Sequence, residues 1–122
     1  DAIYTATRFI EVLSAQSGPA STLLAGVPKT VTTPEIRVDC PDDVKFPVVQ
    51  EVTEAFKARG VPVVDVDGAR VSFPRGWGLV RASNTQPVLV FRFEADAADA
   101  LDEIRNVVMA EVEAAKARLA HE

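Results

Sequence analysis

Cysteine and histidine are nearly absent: among 122 residues there is one of each, Cys40 and His121. A single thiol allows neither an intrachain disulfide nor a thiolate zinc cage, and it fits a reducing, cytoplasmic setting with Cys40 as a buried structural residue. The one imidazole, His121, sits next to a chain end expected to fray, so a His-based metal site, a Ser-His-Asp triad and general-base catalysis by histidine are not expected. Positive charge is also scarce. Thirteen Lys and Arg stand against eighteen Asp and Glu, a formal net charge of −5. No broad basic face is therefore expected for nucleic acid or an anionic membrane, and any anion must be held by a local site. No apolar run approaches the roughly 20 residues of a bilayer span, and the opening lacks the sections of a signal peptide.

What is present belongs to a folded, soluble protein. Apolar residues make up 48% and charged residues 25% of the chain, outside the disordered range. The length has room for one modest domain plus an appendage. Ile3, Ala6, Phe9, Ile10 and Leu13 recur at helical spacing, so a helix from Asp1 to about Gln16 is expected, with Asp1 near its cap. Because the chain enters directly on this helix without a Met, a piece of a longer protein is expected. Ser17-Gly18-Pro19 breaks the helix, Ser21 to Ala25 suits one more turn, and the rest as far as Pro34 reads as an extended connector. The division is then a helical segment (1–26), a hinge or linker (27–35) and a main domain (36–122).

Within that domain Glu35 to Cys40 alternates as a half-exposed strand, and Val44 to Arg59 forms a helix with Phe46, Val49, Val52 and Phe56 on one side. Asp43 is a fitting cap for it, while Gly60 and Pro62 end it. Val63 to Val66 and Ala69 to Phe73 flank Asp67-Gly68, a pair suited to a tight hairpin turn. Two more strands, Trp77 to Ala82 and Val88 to Phe93, precede a helix with an apolar stripe of Leu101, Ile104, Val108, Val112 and Leu119. The order β-α-β-β-β-α predicts an α+β fold, a four-stranded antiparallel sheet with two helices on one face.

Between the last two strands lies Arg81-Ala82-Ser83-Asn84-Thr85-Gln86-Pro87, a short loop crowded with donors. Arg81 offers a planar fork to phosphate oxygens, and the Ser83 and Thr85 hydroxyls, the Asn84 amide and main-chain N–H groups supply the rest. The same residue types also build ordinary hairpin turns by bonding their own backbone, so the loop by itself leaves both readings open. An internal ion pair that locked Arg81 would count against the phosphate reading. Arg92 alternates with Phe91 and Phe93, so it faces either solvent or the loop across the paired strand. Trp77, between two glycines, suits core packing. Lys45, Lys57, Arg59, Arg70 and Arg75 read as solvated charges. Asp39, Asp42 and Asp43 suit turns and helix starts better than a cation site, and Asp65-Val66-Asp67-Gly68 lacks the remaining ligands of a calcium loop.

In their order, Asp67-Gly68-Ala69-Arg70-Val71, Gly76-Trp77-Gly78-Leu79-Val80-Arg81 and Val88-Leu89-Val90-Phe91-Arg92-Phe93-Glu94-Ala95 closely resemble the C-terminal domain of bacterial phosphomannomutase/phosphoglucomutases, of the α-D-phosphohexomutase family. Thr33-Pro34-Glu35-Ile36 and the opening helix resemble the link from, and the end of, the preceding domain. The resemblance implies an isomerase that interconverts hexose 1-phosphate and hexose 6-phosphate of glucose or mannose through a bound 1,6-bisphosphate, using a phosphoserine and Mg²⁺. Those groups belong to earlier domains, and no Ser-His-Asn-Pro or Asp-Gly-Asp-Gly-Asp sequence occurs here. This piece is thus expected to carry no catalytic residue, to bind no metal or cofactor itself, and to be inactive alone. Arg81, Ser83, Asn84 and Thr85, with Arg92 as a further candidate, would hold the phosphate that is not reacting. The implied partners are the phosphosugar and the parent enzyme's other domains. Asn84, where related glucosamine phosphate mutases carry Gly, favours glucose and mannose phosphates. A small α+β regulatory or interaction module is the rival expectation.

Overall fold

The computed structural model describes residues 1–120; His121 lies outside them. Helix α1 (Ala2–Ser14) is capped by Asp1, whose side chain accepts from the N–H groups of Ile3 and Tyr4, and none of its residues is buried. Its apolar residues Ile3, Phe9 and Ile10 are exposed. A single 3₁₀ turn at Ala20–Thr22 follows, a little ahead of the expected turn. The remaining elements are β1 (Val31–Thr32), β2 (Ile36–Asp39), α2 (Lys45–Ala58), β3 (Val63–Val64), β4 (Ala69–Phe73), β5 (Gly76–Ala82), β6 (Val88–Ala95) and α3 (Ala98–Leu119).

All strands join one antiparallel sheet, and it has six strands, not four. Four carry the expected layer in the order β2-β6-β5-β4, and two short additions complete it. β3 extends the β4 edge, and β1 pairs with the end of β6 that β2 leaves free, Val31 opposite Ala95 and Thr32 opposite Glu94. β1 is too short to show a period-2 pattern and is invisible to alternation, while β3 is two residues shorter than the expected Val63 to Val66. Thr33 continues the attachment, its N–H donating to the Phe93 carbonyl and its hydroxyl accepting from the Phe93 N–H.

Alternation on the central strands separates two faces. Val71, Val80, Ala82, Leu89, Phe91 and Phe93 point to one face and are buried under α2 and α3. The opposite face carries no helix and presents Arg37, Arg70, Trp77, Leu79, Arg81 and Arg92. Trp77 is half-buried there beneath the guanidinium of Arg70, 4.6 Å from its ring, rather than in the core. Its packing is a cation–π contact on the open face.

Helix α2 differs from its predicted register in two ways. No side chain caps it; Val44 occupies the cap position, and Asp43 does not serve. Its buried arc runs through Lys45, Val48, Val49, Val52, Thr53 and Phe56, while Phe46 is exposed. Phe46 and Val52 are six residues apart, about 120° round the helix, so the two do not share a face. Gly60 ends the helix with φ +72°, as expected of a glycine after a helix C-terminus. The Asp67-Gly68 turn is looser than a two-residue hairpin. Val64 opposite Arg70 is the last pair, so residues 65–69 lie between its members, and among them only Gly68 has positive φ, +86°.

Phe56 is 1% exposed and meets Phe73 edge-on at 6.1 Å beneath the sheet. Phe56→Ala is expected to remove about 3–5 kcal/mol of stability, read as a lower urea midpoint at unchanged slope.

Candidate functional site

The register of β5 on β6 runs from Gly76 opposite Ala95 to Ala82 opposite Leu89, and it delivers the donor loop at one end of the sheet. Ser83 donates its N–H to the Val88 carbonyl and Val88 donates to the Gln86 carbonyl, which closes the turn. The buried Ser83 hydroxyl oxygen accepts from the N–H groups of Thr85 (3.4 Å) and Gln86 (3.2 Å). That side chain is thus shared: its oxygen shapes the turn, and its proton is left to donate outward. Asn84 and Thr85 are exposed, and no hydrogen bond among the described residues engages the Asn84 amides or the Thr85 hydroxyl.

Arg81 points to the helix-free face and donates from Nη1 to Oδ2 of Asp67 at 3.0 Å. Both side chains are well exposed, 43% and 68%, so the pair is solvent-screened and does not lock the guanidinium. Nε and Nη2 have no partner among the described residues. Gly68 permits this arrangement. A Cβ on it would lie 2.6 Å from the Arg81 Cβ and 2.4 Å from the Val80 carbonyl oxygen, so the 65–68 connection can pack directly against the Arg81 main chain.

Strand pairing also brings in a residue that sequence reasoning missed. Arg37 on β2 stands opposite Val90, and Val90 stands opposite Arg81 on β5, so the two arginines share one face two strands apart, about 10 Å. Arg37 donates from Nη1 to the Gln86 side-chain oxygen at 2.8 Å and from Nε to Glu35 at 2.9 Å. The polar alternation of Glu35 to Cys40 held the signal that Arg37 faces away from the helices, but only the pairing with β6 shows what it reaches. Arg92 lies on the same open face, exposed, and donates to Glu35 Oε2 at 3.1 Å. Glu35 thereby bridges Arg37 and Arg92.

Lys45 departs from its expected place among the solvated charges. Its side chain is 4% exposed, and its ammonium donates to Asp42 Oδ1 at 2.6 Å and to the Gln86 main-chain carbonyl at 3.0 Å. The other lysine and arginines of that group stay at the surface in ion pairs or, for Arg70, on Trp77. Asp42 is thus a lysine's partner. Among the described residues no group of three or more His, Cys, Asp and Glu is gathered as a metal site, and no helix is long and apolar enough to cross a membrane. Cys40 is buried, and desolvation pushes its thiol above the usual range.

A solvent-accessible arginine beside a loop with unengaged amide and hydroxyl donors is suited to an anion, and comparison with known proteins places the chain in a family. The family model described as "Phosphoglucomutase/phosphomannomutase, C-terminal domain" matches residues 35–111. The chain belongs to that family. A phosphomannomutase/phosphoglucomutase of Pseudomonas syringae is 41% identical over 112 residues, covering 92% of this chain and 24% of the relative. A phosphoglucomutase of Neisseria meningitidis is 39% identical, with 93% and 25% covered. The crystal structure of a phosphoglucomutase/phosphomannomutase family protein from Burkholderia thailandensis superposes with TM-score 0.73 at 38% identity, over 95% of this chain and 24% of that one. The chain thus spans about a quarter of its relatives and corresponds to their C-terminal domain.

Hydrogen bonds from Arg37, then Arg92, hold the Glu35 carboxyl below the ordinary glutamate range. A lowered folded value means that the bridge stabilises above the unfolded glutamate pKa and is lost as pH falls through the lowered one. The Glu35 carboxyl-carbon signal should therefore titrate with a midpoint below the usual value of about 4.3. Arg37→Ala should raise that midpoint more than Arg92→Ala does.

Proposed function

We propose that this domain is the phosphate clamp of a phosphohexomutase that interconverts the 1- and 6-phosphates of glucose or mannose. Arg81, Ser83, Asn84 and Thr85 grip the phosphate that is not being transferred. The observation that carries the reading is the loop itself, where the Asn84 and Thr85 donors stand unengaged beside a guanidinium held only by a surface pair. Charge-assisted hydrogen bonds to a phosphate dianion are worth about 1.5–3 kcal/mol each, against about 0–1 kcal/mol for an exposed ion pair. Phosphate therefore displaces Asp67 from Arg81, or shares the guanidinium with it through the free Nε and Nη2. The grip reads tetrahedral geometry and charge, which are alike at either end of the sugar, so it tolerates both orientations of a bisphosphorylated intermediate.

Chemistry belongs elsewhere in the parent protein. No residue of this chain acts as nucleophile or base; Mg²⁺, the phosphorylated serine and the contacts to sugar hydroxyls would come from the other domains. The clamp would speed the reaction by holding the far end of the substrate, since fixing two reactants in line removes several kcal/mol of the barrier. Arg92 and Arg37 would add positive potential on the same face without being required for the grip. The segment 27–35 would act as the hinge, its bending concentrated ahead of Val31 because residues 31–33 are bonded to β6.

Titrating the isotope-labelled chain with glucose 1-phosphate should move the Arg81 to Thr85 amides at millimolar concentration, and Arg81→Ala should abolish the response. No response in the unmodified chain would defeat the clamp and favour an interaction module. In the full-length enzyme, stiffening residues 27–30 with added prolines should lower kcat, and an unchanged kcat would remove the hinge.

A further inference from the structure

Burial of Lys45 is unexplained by packing, because the positions beside it on the same arc of α2, Val48, Val49 and Val52, are aliphatic and would extend to a methionine or leucine there. A nearly inaccessible ammonium is tolerated only where acceptors meet it, and here one of them is the main chain of the donor loop. We propose that Lys45 is a positioning residue for that loop, a role that rests on the clamp reading above. The Gln86 carbonyl accepts from the Lys45 ammonium at 3.0 Å and from the Val88 N–H at 2.8 Å. The Gln86 N–H donates to Ser83 Oγ, and its side-chain oxygen accepts from Arg37. One residue downstream, the Pro87 carbonyl accepts from the Cys40 N–H at 2.8 Å. The far limb of the loop is thus fastened to β2 and to the first turn of α2, while Asn84 and Thr85 on the near limb are left open.

Lys45 is the link between that fastening and the helix, joining residues 41 apart in sequence. By holding the Gln86 carbonyl inward it keeps the Thr85 and Gln86 N–H groups on the Ser83 hydroxyl oxygen, so that the Ser83 proton and the Asn84 and Thr85 side chains are what the loop has left to offer a ligand. Its charge is offset by Asp42 at 2.6 Å, so the role is one of holding main chain, with no movement of Lys45 needed when a ligand arrives.

The test uses the whole chain. Lys45→Met keeps length and apolar bulk but removes the ammonium. It should melt cooperatively, exchange the Thr85 and Gln86 amides about tenfold faster, and bind glucose 1-phosphate about tenfold more weakly, with α3 amide exchange unchanged. A folded Lys45→Met with unaltered loop exchange and affinity overturns the proposal. If Lys45→Met fails to fold, Lys45→Arg serves instead: it keeps the charge but not the point contact, so the Ser83 to Gln86 amide signals should shift and affinity fall, and unchanged values overturn the role. Exchange measured without ligand isolates the positioning from the clamp. A wild-type chain that binds no phosphosugar defeats the clamp itself, whatever the exchange shows.

Discussion

The pairing of β5 with β6 is the constraint on which the rest depends. Its seven residue pairs set the register that sends Val80, Phe91 and Phe93 into the core and Arg81 and Arg92 to the open face. A slip of one residue would exchange the two sets, burying guanidinium groups and exposing phenyl rings. The two glycines of β5 guard that register. A Cβ at Gly76 would lie 2.2 Å from the Glu94 carbonyl, and one at Gly78 would meet Val108 and Phe93 at 2.9–3.0 Å. The loop between the strands inherits its position at the end of the sheet from this pairing.

Around that loop the charges are arranged in two tiers. Outer groups such as Arg81 with Asp67, and Arg37 and Arg92 with Glu35, are solvent-screened ion pairs. The inner group, Lys45, is shielded and holds main chain. The division leaves the outer ion pairs weak and the loop fastened from within. On the clamp reading proposed above, a net negative chain would hold an anion through such local donors rather than through its global field.

Helix α1 stands apart from this economy. It is capped and regular, yet buries none of its residues, and its apolar side chains face solvent. The family match begins at residue 35, so this helix lies outside the part of the chain that the C-terminal-domain model covers. Attachment of residues 31–33 to β6 marks where the sheet domain takes hold of the chain.

The elements and the donor loop were legible locally, because hydrophobic alternation, helical spacing and turn residues act between near neighbours. That legibility covered β2, α2, β3 to β6 and α3 within a residue or two, and Arg81 to Thr85 as a donor-rich loop. The two-residue β1 was not legible, since it exists only through what β6 offers it. Nor was the fate of individual charges. Lys45 and Lys57 are alike as lysines on one amphipathic helix, and only the fold puts Gln86's carbonyl beside one and leaves the other at the surface with Asp65. Arg37 and Asp67 likewise enter the site from distant segments through strand pairing and a glycine-permitted contact. Sequence by itself determined the elements and the donors they carry, because those follow from local sterics and periodicity. Tertiary structure alone decided which charges are buried, paired or free to meet a ligand, because that depends on acceptors contributed across the sheet.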